Sequence, residues 1–257
     1  AITPKTKAIV PVHLFGQVAD MYAIMAIAKK HNLYVIEDNA QGIGATHTDR
    51  EGNKIKTGGI GNVGSTSFFP SKNLGCYGDG GAIFTNDDEL AHSLRGIVNH
   101  GMYERYHHDV VGVNSRLDSL QAVVLDEKLK LLDYYNERRK WAAIRYTQLF
   151  AGHDKIITPK VVRDCQSHVF HQYTLRVIDA NRDELVKHLQ QKGIPCGVYY
   201  PIPLHAQKAY RSDRYKEDDF TVTNQLVKEV ISLPMHSELD DEQIQSIVQA
   251  VLAFLDK

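Results

Sequence analysis

Cysteine is scarce in this chain: Cys76, Cys165 and Cys196 are the three among 257 residues, an odd number without regular spacing. A disulfide framework is therefore not expected, and the pattern suits a reducing, cytoplasmic compartment. Charge of one sign is also lacking, with 30 Lys and Arg against 31 Asp and Glu and a net charge of −1. No basic footprint for nucleic acid or an anionic membrane results. No apolar run approaches the ~20 residues that span a bilayer. The opening AITPKTKAIVPV lacks the basic-then-apolar plan of a signal peptide, and it lacks an initiator methionine. A processed or truncated piece is the expectation. Metal-ligand spacing is missing as well. His107-His108 and the pair His168/His171 have no cysteine or carboxylate to complete a set, and on a strand His168 and His171 would face opposite sides. No metal is expected. Neither a Gly-x-Ser-x-Gly elbow nor a Walker sequence occurs.

What is present is an ordinary globular composition, 43% hydrophobic, long enough for one large domain or two smaller ones. Lys7 to Val12 is β-rich and apolar. ADMYAIMAIAKKHN follows with helical spacing and a basic end, and LYVIED (33–38) is a further strand. Strand, helix and strand within about 30 residues predict a parallel βαβ unit. STSFF and GGAIFTN read as strands, DDELAHSLRGIVNHG as a helix, and residues 116–150 as one long helical pattern. Beyond about 151 the pattern changes to a small α+β domain. There VFHQYTLRVI and IPCGVYY read as strands, NRDELVKHLQQKG and DDEQIQSIVQAVLAFL as helices. The predicted division is 1–130 for a large domain and 131–257 for a linker helix and a small domain.

The stretch STSFFPSKNLGCYGDGGAIF (65–84) carries the chemistry. In a chain that is 24% charged, it holds one lysine, Lys72, and one acid, Asp79. A lysine among Phe, Pro, Ser and Gly is a candidate desolvated amine, able to form a Schiff base with an aldehyde; it also reads as a solvated loop residue. Asp38, at the carboxyl end of LYVIED, faces the crevice side of a parallel sheet; the plainer reading is a turn or cap acid. Glu37, one residue earlier, is the rival acid and points to the other face. GGIGNVG has the glycine spacing of a dinucleotide fingerprint, but it precedes a strand instead of following one, so turn chemistry is the better reading. A strand-end carboxylate and, 34 residues on, a lysine after a Ser-bearing strand together suit pyridoxal phosphate. The aldehyde needs an amine, the ring nitrogen a carboxylate, and the phosphate hydroxyls such as those of Ser65, Thr66 and Ser67.

VPVHLFGQVADM, VIEDNAQGIGA, STSFFPSKNLGCYGDGGAIFTND and GVNSRLDSLQAVVLDEKL resemble, in order, successive motifs of the DegT/DnrJ/EryC1/StrS sugar aminotransferases. The resemblance is dense from 9 to 130 and thinner beyond. It implies an α/β, fold-type I aminotransferase with a mostly parallel central sheet, helices on both faces and a small C-terminal α+β domain. It implies a homodimer with shared active sites. By the family pattern Lys72 is the lysine that holds the cofactor and Asp38 pairs with the ring nitrogen. Gln41 lies beside the ring hydroxyl, Ser67 holds the phosphate, and Asn114 reaches the partner's phosphate. His13 and Gln17 are expected near the site; His13, Arg105, His107 and His108 are the substrate-binding candidates, the last three at diphosphate or carboxylate charge of the substrate. The family also carries a longer segment before KAIVPV. The implied reaction moves an amino group, from glutamate, to a nucleotide-linked keto-sugar. The motifs around 100–122 and 168–177 are most similar to members acting on UDP-linked 3-keto sugars, whose products feed surface polysaccharide (lipopolysaccharide) or antibiotic sugars. A dehydratase with the same cofactor would carry histidine in place of Lys72. The other open reading is a non-catalytic remnant or binding module.

Overall fold

The computed structural model describes residues 1–49, 51–162 and 168–256. These form two compact units. The first holds residues 1–137 with 161–171, the second 138–160 with 172–257. The predicted cut was at 130; here the change falls inside a helix, and residues 161–171 return to the first unit. Cys165 lies outside the described residues, and Cys76 and Cys196 are free thiols.

In the first unit a four-stranded sheet runs in the order β1 (Ala8–Ile9), β2 (Tyr34–Asp38), β5 (Val63–Ser67) and β6 (Gly81–Phe84). β1 pairs with β2 and β2 with β5 in parallel, whereas β5 and β6 are antiparallel. The antiparallel edge has a simple cause: the connection from Ser67 to Gly81 contains no helix to carry the chain back across the sheet. α1 (Met21–His31) supplies the predicted βαβ crossover. Its start is capped by Asp20, whose carboxylate accepts from the Ala23 N–H (3.0 Å). Its last turn holds Lys29, Lys30 and His31 at the negative end of the helix dipole. Val18, Met21, Ala28, Val35, Ala45 and Val169 form one buried cluster, and Phe68, Leu74, Cys76, Leu125 and Leu132 a second. Each large side chain so buried contributes about 1.5–3 kcal/mol. Two ribbons complete the unit's strands, β3 (Thr46–Thr48) with β4 (Lys54–Lys56) and β7 (Met102–Glu104) with β8 (His107–His108). The helix α2 (Asp88–Val98) follows β6 as expected.

The stretch 116–150 is two helices, α3 (Ser119–Leu129) and α4 (Leu132–Leu149). The break at Lys130–Leu131 is too short to disturb the apolar spacing, so periodicity alone reads through it.

In the second unit β9 (Ile156–Ile157), β10 (Tyr173–Val177) and β11 (Val230–Leu233) make an antiparallel sheet in the order β11-β10-β9. It packs with α5 (Arg182–Gln191) and α7 (Asp241–Leu255) around Leu175, Leu185, Leu189, Ile231, Ile244 and Val251, all fully buried. A further helix, α6 (Thr221–Glu229), leads into β11. Burial pushes the Tyr173 phenol up to about 12, so this ring stays protonated while its oxygen shares a 2.9 Å bond with Thr147. Two expectations fail here. IPCGVYY is not a strand: only Gly197 pairs, with Ser232, because Pro195 and Gly197 interrupt the ladder. β10 begins at Tyr173, so His168 and His171 lie before it and both are buried, instead of alternating across it.

Candidate active site

The site is built at the carboxyl end of β2. Side chains alternate along this strand, so Val35 and Glu37 are buried while Asp38 is half-buried at the tip. Residues 11–13 run beside the tip. The Asp38 N–H donates to the Pro11 carbonyl (2.9 Å), and the His13 N–H donates to the Asp38 carbonyl (3.0 Å). The Asp38 carboxylate accepts from the Ala40 N–H (3.0 Å), which fixes its rotamer at the start of the following turn.

Glu37 has a different task. It is fully buried and its carboxylate accepts four hydrogen bonds: from the N–H groups of Gly58 (2.8 Å), Ile60 (2.7 Å) and Gly61 (2.6 Å), and from His13 Nε2 (2.9 Å). Burial drives its pKa up, but the bonds from His13 and the three amides outweigh it and hold the carboxyl below its ordinary value. The His13 ring has one arrangement. Its Nδ1 accepts from the Ala19 N–H (3.2 Å), so the proton sits on Nε2 and donates to Glu37. His13 is thus a buried support and not the substrate-facing residue expected from sequence. GGIGNVG is turn chemistry of a specific kind: its amides wrap an internal carboxylate. Glycine is needed where the chains touch, since a Cβ on Gly61 would lie 2.8 Å from the Val35 carbonyl oxygen and one on Gly64 2.2 Å from that of Gly58.

Lys72 sits in the loop joining β5 to β6. That loop is closed at its base by the Phe68 N–H donating to Gly80 (2.7 Å) and the Cys76 N–H to Phe68 (2.8 Å). Within it, the Lys72 N–H donates to the Phe69 carbonyl (2.9 Å). Burial lowers the Lys72 amine below the ordinary lysine value, and the charge of Asp38 raises it in part. The two predicted residues are therefore brought within electrostatic reach of one another. Ser67, at the end of β5, accepts from the Phe69 N–H (3.2 Å) and keeps its own proton for donation. Thr66 is buried and donates to the Asn39 carbonyl (3.1 Å), and Ser65 donates to that of Glu37 (3.4 Å), so of the three hydroxyls Ser67 is the one suited to an anion. The Gln41 side-chain oxygen accepts from the Phe15 N–H (2.6 Å), leaving the amide nitrogen as its donor end.

An amine of lowered basicity, a carboxylate and a free hydroxyl are the donor set that an aldehyde-bearing pyridine phosphate requires. Residues 1–252 match the DegT/DnrJ/EryC1/StrS aminotransferase family. This chain belongs to that family. A pleiotropic regulatory protein of Geobacillus stearothermophilus is 50% identical over 256 residues, covering 99% of this chain and 67% of the relative. The UDP-2-acetamido-2-deoxy-3-oxo-D-glucuronate aminotransferase of Pseudomonas aeruginosa is 47% identical over 251 residues, covering 98% and 67%. The crystal structure of S. venezuelae DesV in complex with a ketimine intermediate superposes with a TM-score of 0.92 at 40% identity, covering 100% of this chain and 67% of that one. The chain spans about two thirds of the length of the curated relatives it matches.

The remaining residues expected of a DegT/DnrJ/EryC1/StrS member fall elsewhere in the first unit. Gln17 accepts from the Val162 N–H (2.7 Å) and its backbone bridges to His168. Asn114 is exposed in the loop before α3, where its side-chain oxygen accepts from Arg116 Nε (3.0 Å). Arg105, His107 and His108 are exposed on the β7–β8 ribbon. Arg105 lies over the Tyr106 ring at 4.9 Å, and His108 Nδ1 donates to the His100 carbonyl (2.9 Å). Sequence reasoning missed the roles of His13 and Glu37 as a pair, and it missed Asn73 and Asn136. The one available signal was the acid pair Glu37-Asp38 on a strand, where only one of two neighbours can face the site.

Proposed function

We propose that the intact protein is a pyridoxal-phosphate-dependent aminotransferase that moves an amino group, with glutamate as donor, to a keto-sugar on a nucleoside diphosphate. The observation that carries this is the placement of Lys72, half-buried in the loop between β5 and β6 with the Asp38 carboxylate within electrostatic reach. When bound, the cofactor supplies an electron sink for the carbanion formed at the substrate carbon. The chain's own residues do the rest. Lys72 Nζ is the covalent anchor and, once displaced, carries a proton to and from the reacting carbon. The Asp38 carboxylate keeps the ring nitrogen protonated, Gln41 donates beside the ring hydroxyl, and Ser67 donates to the phosphate. A UDP-linked 3-keto sugar is the proposed acceptor, supported by the name of the Pseudomonas relative. The name of the Geobacillus relative favours a second reading, a regulatory or binding protein on the same fold. The cytoplasmic location suggested by cysteine usage belongs to this proposal too; among the described residues no helix is long and apolar enough to cross a membrane.

The test is direct. The intact protein, loaded with cofactor, should show a visible absorbance band that borohydride abolishes, with the reduced adduct mapped to Lys72. With glutamate and a UDP-linked 3-keto sugar it should yield 2-oxoglutarate and the aminosugar. An adduct without turnover of any nucleotide-linked keto-sugar favours the binding reading.

Asp38→Asn should retain the borohydride-trapped adduct and lose roughly a hundred-fold or more in turnover, the scale of removing one preorganised electrostatic group. Wild-type turnover in this variant would remove Asp38 from its role.

Asn114 carries the assembly proposal, a homodimer whose sites are each completed by the other chain. Lys72→Ala and Asn114→Asp chains are each expected to be inactive alone. Mixed dimers should regain one working site, because both lesions then fall in the other. Mixing that restores no activity sinks the shared-site reading.

A further inference from the structure

Next to Lys72 stands a residue that the chemistry does not use. Asn73 is buried, with 5% of its surface exposed, inside a loop whose preceding residues Phe69, Pro70 and Ser71 are in solvent. Its side chain is committed throughout. Nδ2 donates to the side-chain oxygen of Asn136 (2.8 Å) and to the carbonyl of Val169 (3.0 Å), while Oδ1 bonds to His171 Nδ1 (3.3 Å). Asn136, also buried, passes the network on: its own Nδ2 donates to the carbonyl of Ile43 (3.2 Å). Ile43 lies two residues past Gln41 in the turn that follows Asp38.

We propose that Asn73 is a positioning residue, whose amide and that of Asn136 clamp the Lys72 loop to the turn carrying Gln41 and so set where the lysine amine sits. This rests on the cofactor reading above. The polarity of the chain is fixed at every link. An amide oxygen can only accept, so His171 Nδ1 must donate to Asn73. The Asn73 NH2 then has two protons for two oxygens, and the Asn136 NH2 is left for Ile43. Neither Asp nor Leu can take the place of Asn73, because each leaves the Val169 and Asn136 oxygens buried without a donor. The local bond of the Lys72 N–H to Phe69 holds the turn's shape but does not tie it to β2. The amide of Asn73 does so from the adjacent residue, over sequence separations of 63 to 98.

A residue that merely stabilised the fold would change the melting temperature and leave the lysine's chemistry alone. A positioning residue changes the environment of the amine. Burial is what lowers the Lys72 amine, with Asp38 the charged group opposing it; a loop that drifts towards solvent returns the amine towards ordinary lysine behaviour. The experiment measures the pH profile of borohydride-trapped pyridoxal phosphate at Lys72 by peptide mass in the intact protein, with Asn73→Ser and Asn136→Ala, alongside melting temperatures. Both variants are expected to form the adduct at least about ten-fold more slowly at neutral pH, with the profile's midpoint moved to higher pH. Asn136→Ala leaves the lysine loop's sequence intact and carries the test alone if Asn73→Ser does not fold. A lowered melting temperature with an unchanged profile overturns the proposal. Failure of the unsubstituted protein to form the adduct overturns the cofactor reading, and this inference with it.

Discussion

Lys72→Ala is expected to remove transamination from the intact protein almost completely, by roughly a thousand-fold or more, because the covalent anchor and the proton carrier are the same nitrogen. Neither of the side chains that stand with it at the site can take over. Asp38 and Gln41 bring an acid and an amide, neither of which condenses with an aldehyde. The variant should still fold, because Lys72 is half-buried and its side chain opposes burial instead of stabilising the core. Borohydride should then trap no adduct at residue 72, while Lys54→Ala, an exposed lysine on the β3–β4 ribbon, serves as the control with unchanged rate. Retention of more than a few per cent of the activity in Lys72→Ala would falsify the assignment.

The largest stability effect is expected at Glu37. Four donors converge on its carboxylate in a fully buried position. Glu37→Leu would leave three backbone N–H groups and the His13 Nε2–H without acceptors. Glu37→Gln would turn an amide NH2 towards some of them. Breaking such a buried arrangement costs about 3–5 kcal/mol, a large share of the 5–15 kcal/mol that is typical of a domain. Denaturant titration should show the loss as a lower midpoint. The pH dependence has a definite sign. Glu37 in the folded protein holds its proton less tightly than in the unfolded chain. Its stabilising contribution is therefore present above the unfolded carboxylate value and is lost as pH falls through the lower folded value. Acid unfolding of the wild type should steepen in that range, and Glu37→Gln should flatten it. A variant as stable as wild type with the same acid slope would mean that the four bonds contribute nothing net.

These two residues also mark what could be read from sequence. The placement of Lys72 in a half-buried loop within electrostatic reach of Asp38 is legible because the signals are local: a lone cation in an uncharged glycine-rich loop, and an acid at the end of an apolar strand. Alternation also placed Glu37 on the opposite face. Its partners could not be read, because His13 and the Gly58–Gly61 amides are 21 to 24 residues away. His13 stands in a loop expected near the site, and nothing in that motif registers that its ring is buried against Glu37. Asn73 was silent for the same reason, since its bonds span 63 to 98 residues. Among the elements, helices with explicit caps were clear, as with α7, where Asp240 and Gln243 close a capping box. The join between α3 and α4 and the failed strand at IPCGVYY were decided by pairing partners, or the lack of them, that periodicity does not register.

The paired acids expose β2 to a particular error. Sliding the strand by one residue would carry Glu37 to the tip in place of Asp38, or Asp38 into the buried amide nest in place of Glu37, and the acid so moved would still meet groups that suit a carboxylate. Chemistry alone would penalise that slip weakly. Val35 prevents it: its side chain is fully buried, and Asn62 holds its backbone there, the Asn62 N–H donating to the Val35 carbonyl (2.9 Å) and the Asn62 side-chain oxygen accepting from the Val35 N–H (2.8 Å). A one-residue slide would put Tyr34 or Ile36, both exposed on β2, into that buried position, so Val35 indexes the strand two and three residues ahead of the acids.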